Sequence, residues 1–78
     1  MTFSFYLGRV VSLAHEARLL AVAHWLDQNK FATTVSIING CMLWDVTPHS
    51  DTAMTEEEFK LYAAEHIIHA LSHQLREP

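Results

Sequence analysis

The sequence predicts an α+β protein built as helix–β-hairpin–helix (αββα), and three observations carry that expectation. Asn39-Gly40 lies between two apolar, β-branched and aromatic runs, Thr33 to Ile38 and Cys41 to Val46. The segment before these runs repeats apolar residues at spacings of three and four, as an amphipathic helix does. The segment after them opens on Thr55-Glu56-Glu57-Glu58, a capping box followed by the same helical spacing. All 78 residues read as one domain, residues 1–78.

The first helix is expected from Tyr6 to Gln28, with Ser4 available as its N-cap. Tyr6, Val10, Leu13, Ala17, Leu20 and Ala21 form its apolar stripe, and Gly8, Ser12, His15 and Glu16 oppose it. From Leu19 to Leu26 apolar residues point in nearly every direction, as in a helix buried on more than one side. At ~1.5 Å per residue this helix would be about 35 Å long, too long for so small a domain. A second chain covering the excess is the expected solution, and a break near Gly8 is the rival. Asn29 is the expected left-handed cap.

The hairpin follows from turn chemistry. A two-residue type I′ turn needs positive φ at both central residues, which Asn and Gly tolerate best. It pairs Ile38 with Cys41, Ile37 with Met42, Ser36 with Leu43, Val35 with Trp44 and Thr33 with Val46. Thr33, Val35, Ile37, Met42, Trp44 and Val46 then share an apolar face, and Thr34, Ser36, Ile38, Cys41, Leu43 and Asp45 a mixed one. Pro48 closes the second strand. The last helix is expected from Glu56 to Leu75, with a core stripe of Leu61, Ala64, Ile68, Leu71 and Leu75, widened by Ala63, Ile67 and Ala70.

Composition bounds the class. Half the residues are hydrophobic and only 18% are charged, more apolar material than a monomer of this size easily hides. A subunit or partner interface is the ordinary destination for the surplus, so a homodimer is expected, the two hairpins joining into a four-stranded sheet. Five Lys and Arg without clustering, against nine acids, argue against direct nucleic-acid binding. No secretory signal and no membrane span are evident, and the lone Cys41 reads as a reduced thiol, so the expectation is a cytoplasmic protein.

His66, His69 and His73 stand at i, i+3 and i+7 and form a narrow stripe with Tyr62. Imidazoles so spaced can share zinc or nickel, which gives a small metal-binding or pH-responsive protein as the alternative function. No HExxH motif adds a base, and the simpler reading is the polar rim of an interface, with no metal and no cofactor. At a symmetric interface, protonation would set like charges together and weaken association as pH falls from about 7.5 to 5.5. His15 and His24 read as packed or surface residues. His49 beside Asp45 or Asp51 lacks a nucleophile in any recognisable setting, so no catalysis and no small-molecule substrate are expected.

The residues expected to bind a partner are Val22, Trp25, Ile38, Leu43, Asp45, Glu57, Tyr62, His66, His69 and His73. Trp44, on the apolar hairpin face, belongs to the core. The functional class is a non-enzymatic regulator or inhibitor that docks on a larger protein, a profile shared by phage and mobile-element inhibitors such as anti-CRISPR proteins. Asp45, Asp51, Glu56, Glu57, Glu58 and Glu65 are the carboxylates that could imitate phosphates against a basic groove.

Overall fold

In the computed structural model the chain runs β1 (Phe3–Arg9), α1 (Leu13–Asn29), β2 (Ala32–Ile38), β3 (Cys41–Thr47) and α2 (Glu56–Arg76). The structure describes residues 1–49 and 53–76, with the side chains of α2 described as far as His73. Asp51 and Pro78 and the side chain of Leu75 lie outside the described residues. The class is α+β, but the order is βαββα and the sheet has three antiparallel strands in the order β1-β3-β2.

The expected αββα order therefore fails at its first element. Phe3-Ser4-Phe5-Tyr6-Leu7 alternates in burial, with Phe3, Phe5 and Leu7 packed against the core and Ser4 and Tyr6 exposed. That period of two is a strand's, and pairing with β3 satisfies the backbone groups an isolated helix turn would leave open. Ser4 is no N-cap: its hydroxyl donates to Asp45 Oδ1 across the sheet. The register shifts between Tyr6 and Gly8, a bulge at which Gly8 takes φ +91°. The chain then turns, and Ser12 caps α1 by accepting a hydrogen bond from the His15 N–H (3.0 Å). The break near Gly8 thus removes the excess helix length. Asn29 is not left-handed either. The cap is Lys30, whose N–H donates to the Leu26 carbonyl (2.8 Å), as does that of Phe31 (3.0 Å).

The hairpin takes the expected register throughout, with Asn39 at φ 53° and Gly40 at φ 79°. Met42, Trp44 and Val46 are fully buried on its apolar face. What differs is its surroundings. β1 covers the outer edge of β3, so Trp44 sits in the middle of a row, between Phe5 and Val35. A two-stranded ribbon joining a second copy into four strands is therefore not the architecture.

Both helices lie on the Trp44 face of the sheet, giving two layers, and the smallest dimension of the molecule is 18 Å. The core joins Leu19, Val22, Ala23 and Leu26 of α1, Phe31, the three β3 residues, and Phe59, Ala63 and Ile67 of α2. Phe31 meets Phe59 edge to face at 6.0 Å. At the start of α2 the Thr55 N–H donates to Glu58 Oε1 (3.0 Å) and the Glu58 N–H to Thr55 Oγ1 (3.2 Å), the capping box as expected. That bonding holds the Glu58 carboxyl below its ordinary range, the Thr55 N–H first and its hydroxyl second.

The helix stripes differ from expectation in both helices. Leu13 and Leu20 are exposed, and α1 buries Leu19, Val22, Ala23 and Leu26 instead. Leu61 is 71% and Ile68 64% exposed, whereas Phe59, Ala63 and Ile67 are buried. Each helix presents a second apolar stripe to the side away from the sheet.

Candidate functional site

The groove between α1 and α2 holds about 360 Å³ and is lined by Val22, Trp25, His66, His69, Ala70 and His73. Its placement follows from helix geometry. Val22 and Trp25 stand three residues apart on the α2-facing side of α1, and His66, His69 and His73 stand at i, i+3 and i+7 on the α1-facing side of α2. Val22 is 2% exposed and Trp25 48%, so one closes the floor while the other stands as a wall. Lys30 Nζ lies 5.9 Å from the centre of the Trp25 ring, at the outer limit of a cation–π contact. The Asn29 side-chain amide donates to the Trp25 carbonyl (2.8 Å), tying down the end of α1 on which the indole sits.

Tyr62 adjoins the groove. Its ring lies 4.4 Å from that of His66, 6.1 Å edge-on from Phe31 and 6.3 Å stacked from Phe59. The lining is thus a Trp wall, an aliphatic floor and an imidazole rim that rests on the aromatic core. Such a surface suits an apolar or aromatic side chain with polar groups beside it. It contains no nucleophile paired with a base. Among the described residues no group of three or more His, Cys, Asp or Glu is placed to hold a metal ion, so the three histidines stay strung along two helical turns.

Five of the ten expected partner-binding residues, Val22, Trp25, His66, His69 and His73, line this groove, and Tyr62 stands beside it. Ile38, Leu43 and Asp45 are elsewhere, on the face of the sheet that no helix covers. Tyr6 (70% exposed) joins them there, opposite Leu43 in the register. A hydrogen bond to the neighbouring Cys41 side chain pushes the Tyr6 phenol above its usual range, helped by the thiol's charge and a little desolvation and opposed by Arg9. Glu57 stands on the first turn of α2, one turn before Leu61 on the same side of the helix, and does not line the groove.

Two of the remaining histidines make hydrogen bonds, and His24 is exposed. His15 Nδ1 accepts from the Val11 N–H (3.3 Å) at the start of α1. His49 Nε2 donates to the Asp27 carbonyl (2.7 Å).

Comparison with known proteins finds no matching family, curated protein or solved structure. Nor is any described helix long and apolar enough to cross a membrane.

Tyr6, Leu13, Ala17, Leu20 and Ala21 of the expected first stripe, and Leu61 and Ile68 of the expected core stripe of the last helix, are exposed. The usable signal was the all-round apolarity of Leu19 to Leu26. A sheet covers only one side of such a helix, so a second stripe must face outward.

Proposed function

We propose that this protein is a non-enzymatic interaction module, a regulator or inhibitor that works by docking, and that the outer face of its two helices is the docking surface. One observation carries the reading. Leu13, Leu20, Trp25, Leu61 and Ile68 are all large, apolar and 39–84% exposed, and all belong to the side of the helical layer turned from the sheet or to the groove that opens on it. Isolated exposed apolar residues are ordinary, whereas five on one face of so small a protein mark an interaction surface. Trp25 supplies the anchor, because a tryptophan beside a floor of Val22 and Ala70 is the arrangement that dominates binding energy where an interface exists.

The uncovered sheet face, with Tyr6, Ile38, Leu43 and Asp45, is the alternative surface. A photo-crosslinking amino acid placed at Leu20 on the helical face, at Thr34 on the sheet face, and at Lys60 as a control tests the assignment. Crosslinks from Leu20 that vanish in a Trp25→Ala background support docking through the helices. Crosslinks equal at all three positions, or none at Leu20 under native conditions, refute it.

A further inference from the structure

The geometry points to a ligand site in the groove between α1 and α2 for a small planar aromatic acid, its ring against Trp25 and its carboxylate facing the imidazoles of α2. The exposed stripe of Leu13, Leu20, Leu61 and Ile68 does not line this groove. The inference therefore goes beyond the docking reading and holds whatever covers the outer stripe.

Size and shape select the ring. About 360 Å³ between two helices lies at the small end of the range for organic ligand sites. Val22, 2% exposed, closes the floor beside Ala70, so an entering ring meets aliphatic carbon below and the half-exposed indole of Trp25 at its side. Aromatic rings favour offset or edge-on contact with such an indole over what area burial alone provides. The opposite wall is set in advance. The His66 ring lies 4.4 Å from that of Tyr62, which itself packs on Phe31 and Phe59. A ligand group that bonds to His66 thus meets a side chain already held by the core.

Charge selects the acid. Three of the six lining residues are histidines, and no Asp or Glu lines the groove among the described residues. An imidazole offers one N–H donor when neutral and two when protonated. Lys30 Nζ adds a cation 5.9 Å from the centre of the Trp25 ring. Arg18 stands one turn before Val22, and His24 is the neighbour of Trp25 in sequence. Against these, Asp27 already accepts the Thr33 N–H (2.9 Å), and Glu65 stands exposed one turn before His69. The other acids of the helices, Glu16 and Glu56, Glu57 and Glu58, belong to their first turns, as does Lys60, before the lining residues begin. An anion is what this rim receives. A cation would meet Lys30 and, as pH falls, protonated imidazoles. No nucleophile paired with a base lines the groove, so the ligand is held and released unchanged.

The test is a titration of the intact protein with 2-naphthoate at about pH 7.5 and about pH 5.5, followed by the indole N–H signals in two-dimensional proton–nitrogen NMR spectra. Saturable one-to-one binding is expected to shift the Trp25 signal and to move that of buried Trp44 far less. The dissociation constant is expected to be roughly threefold or more smaller at the lower pH, because the imidazoles gain protons. The neutral ring of 2-naphthalenemethanol and the non-aromatic acid cyclohexanecarboxylate are expected to bind several times more weakly. Trp25→Leu, at a half-exposed position, should weaken naphthoate roughly tenfold. His69→Gln combined with His73→Gln, both exposed, should remove most of the pH dependence. Backbone signals of the sheet that stay in place show that the variants fold. No saturation by about 10 mM at the lower pH overturns the site, as does equal binding of the three probes. Binding that tightens as pH rises overturns it too, as does a dissociation constant that neither variant changes. Zinc chloride that binds at the higher pH, where naphthoate does not bind at either, would assign the histidines to a cation and overturn it likewise.

Discussion

Ile67 and Ile68 are identical side chains, adjacent in sequence and about 100° apart around α2, and the structure gives them opposite roles. Ile67 is 3% exposed beneath the helix and Ile68 64% exposed above it. Ile67→Ala deletes three carbons from a filled space. At ~0.8 kcal/mol for each buried methylene the transfer loss is about 2.4 kcal/mol. A residual cavity of about 40 Å³ adds about 1 kcal/mol, for a total of roughly 3–4 kcal/mol. Ile68→Ala loses about a third of the transfer term and leaves no enclosed cavity, so it costs under about 1 kcal/mol. A domain of this length is stable by roughly 4–12 kcal/mol, and Ile67→Ala therefore removes a large part of the whole.

Urea unfolding followed by circular dichroism at low micromolar concentration measures both variants. The midpoint is expected to fall sharply for Ile67→Ala, with Tm lower by roughly 12 °C or more, and to stay near wild type for Ile68→Ala. Equal costs at low concentration, or a larger one for Ile68→Ala, would show that α2 is rotated otherwise and that the outer stripe is core.

Gly40 sits at φ +79° in the hairpin turn, so Gly40→Ala forces a side chain into the left-handed region and should cost about 1 kcal/mol or more in thermal unfolding. Because the Glu58 carboxyl is held low in the folded chain, its contribution is complete above the usual glutamate range near pH 4.3 and is lost as pH falls through the lowered folded value. Glu58→Gln should therefore flatten the acid limb of a Tm-against-pH curve below about pH 4.5 and leave an otherwise parallel profile above it. Trp44 is fully buried with no hydrogen-bond partner for its Nε1, so Trp44→Phe trades lost packing against a relieved orphan donor. It should cost under about 2 kcal/mol, against 3–5 kcal/mol for Trp44→Ala, in the same urea assay.

Local chemistry was legible wherever one short signal decided the backbone. Asn39-Gly40 set the turn and with it every pairing from Ile38–Cys41 to Thr33–Val46. Thr55 and Glu58 set the start of α2. The first nine residues were not legible, because Phe3 to Leu7 is too short to separate a period of two from one of 3.6 once Val10 and Leu13 are counted with it. Long-range pairing with β3 decided the matter, and no local pattern reports it. Of the candidate site, the groove residues were recognisable from their spacing on each helix, but that Trp25 and His66 share one groove depends on how the two helices pack. Ile38, Leu43 and Asp45 were correctly placed off the apolar hairpin face, yet a sheet covered on one side only puts them on a different surface from Trp25.

The misassigned stripes are themselves informative. Leu13, Ala17, Leu20 and Ala21 on α1, and Leu61 and Ile68 on α2, have the spacing of buried positions, and a periodicity reading selects them for that reason. Selection for solubility alone would make the side away from the sheet polar, as α2 does at Glu65 and Ser72 beside its two apolar residues. Two apolar stripes on one helix are economical only if each has something to lie against. The sheet supplies the first through Leu19, Val22, Ala23 and Leu26. The second is a stripe still waiting for a surface, and the groove that Trp25 walls opens along its edge. A surface variant such as Ala17→Arg, harmless to a protein whose outer stripe has no function, therefore distinguishes a helix that is merely greasy from one built with two interfaces.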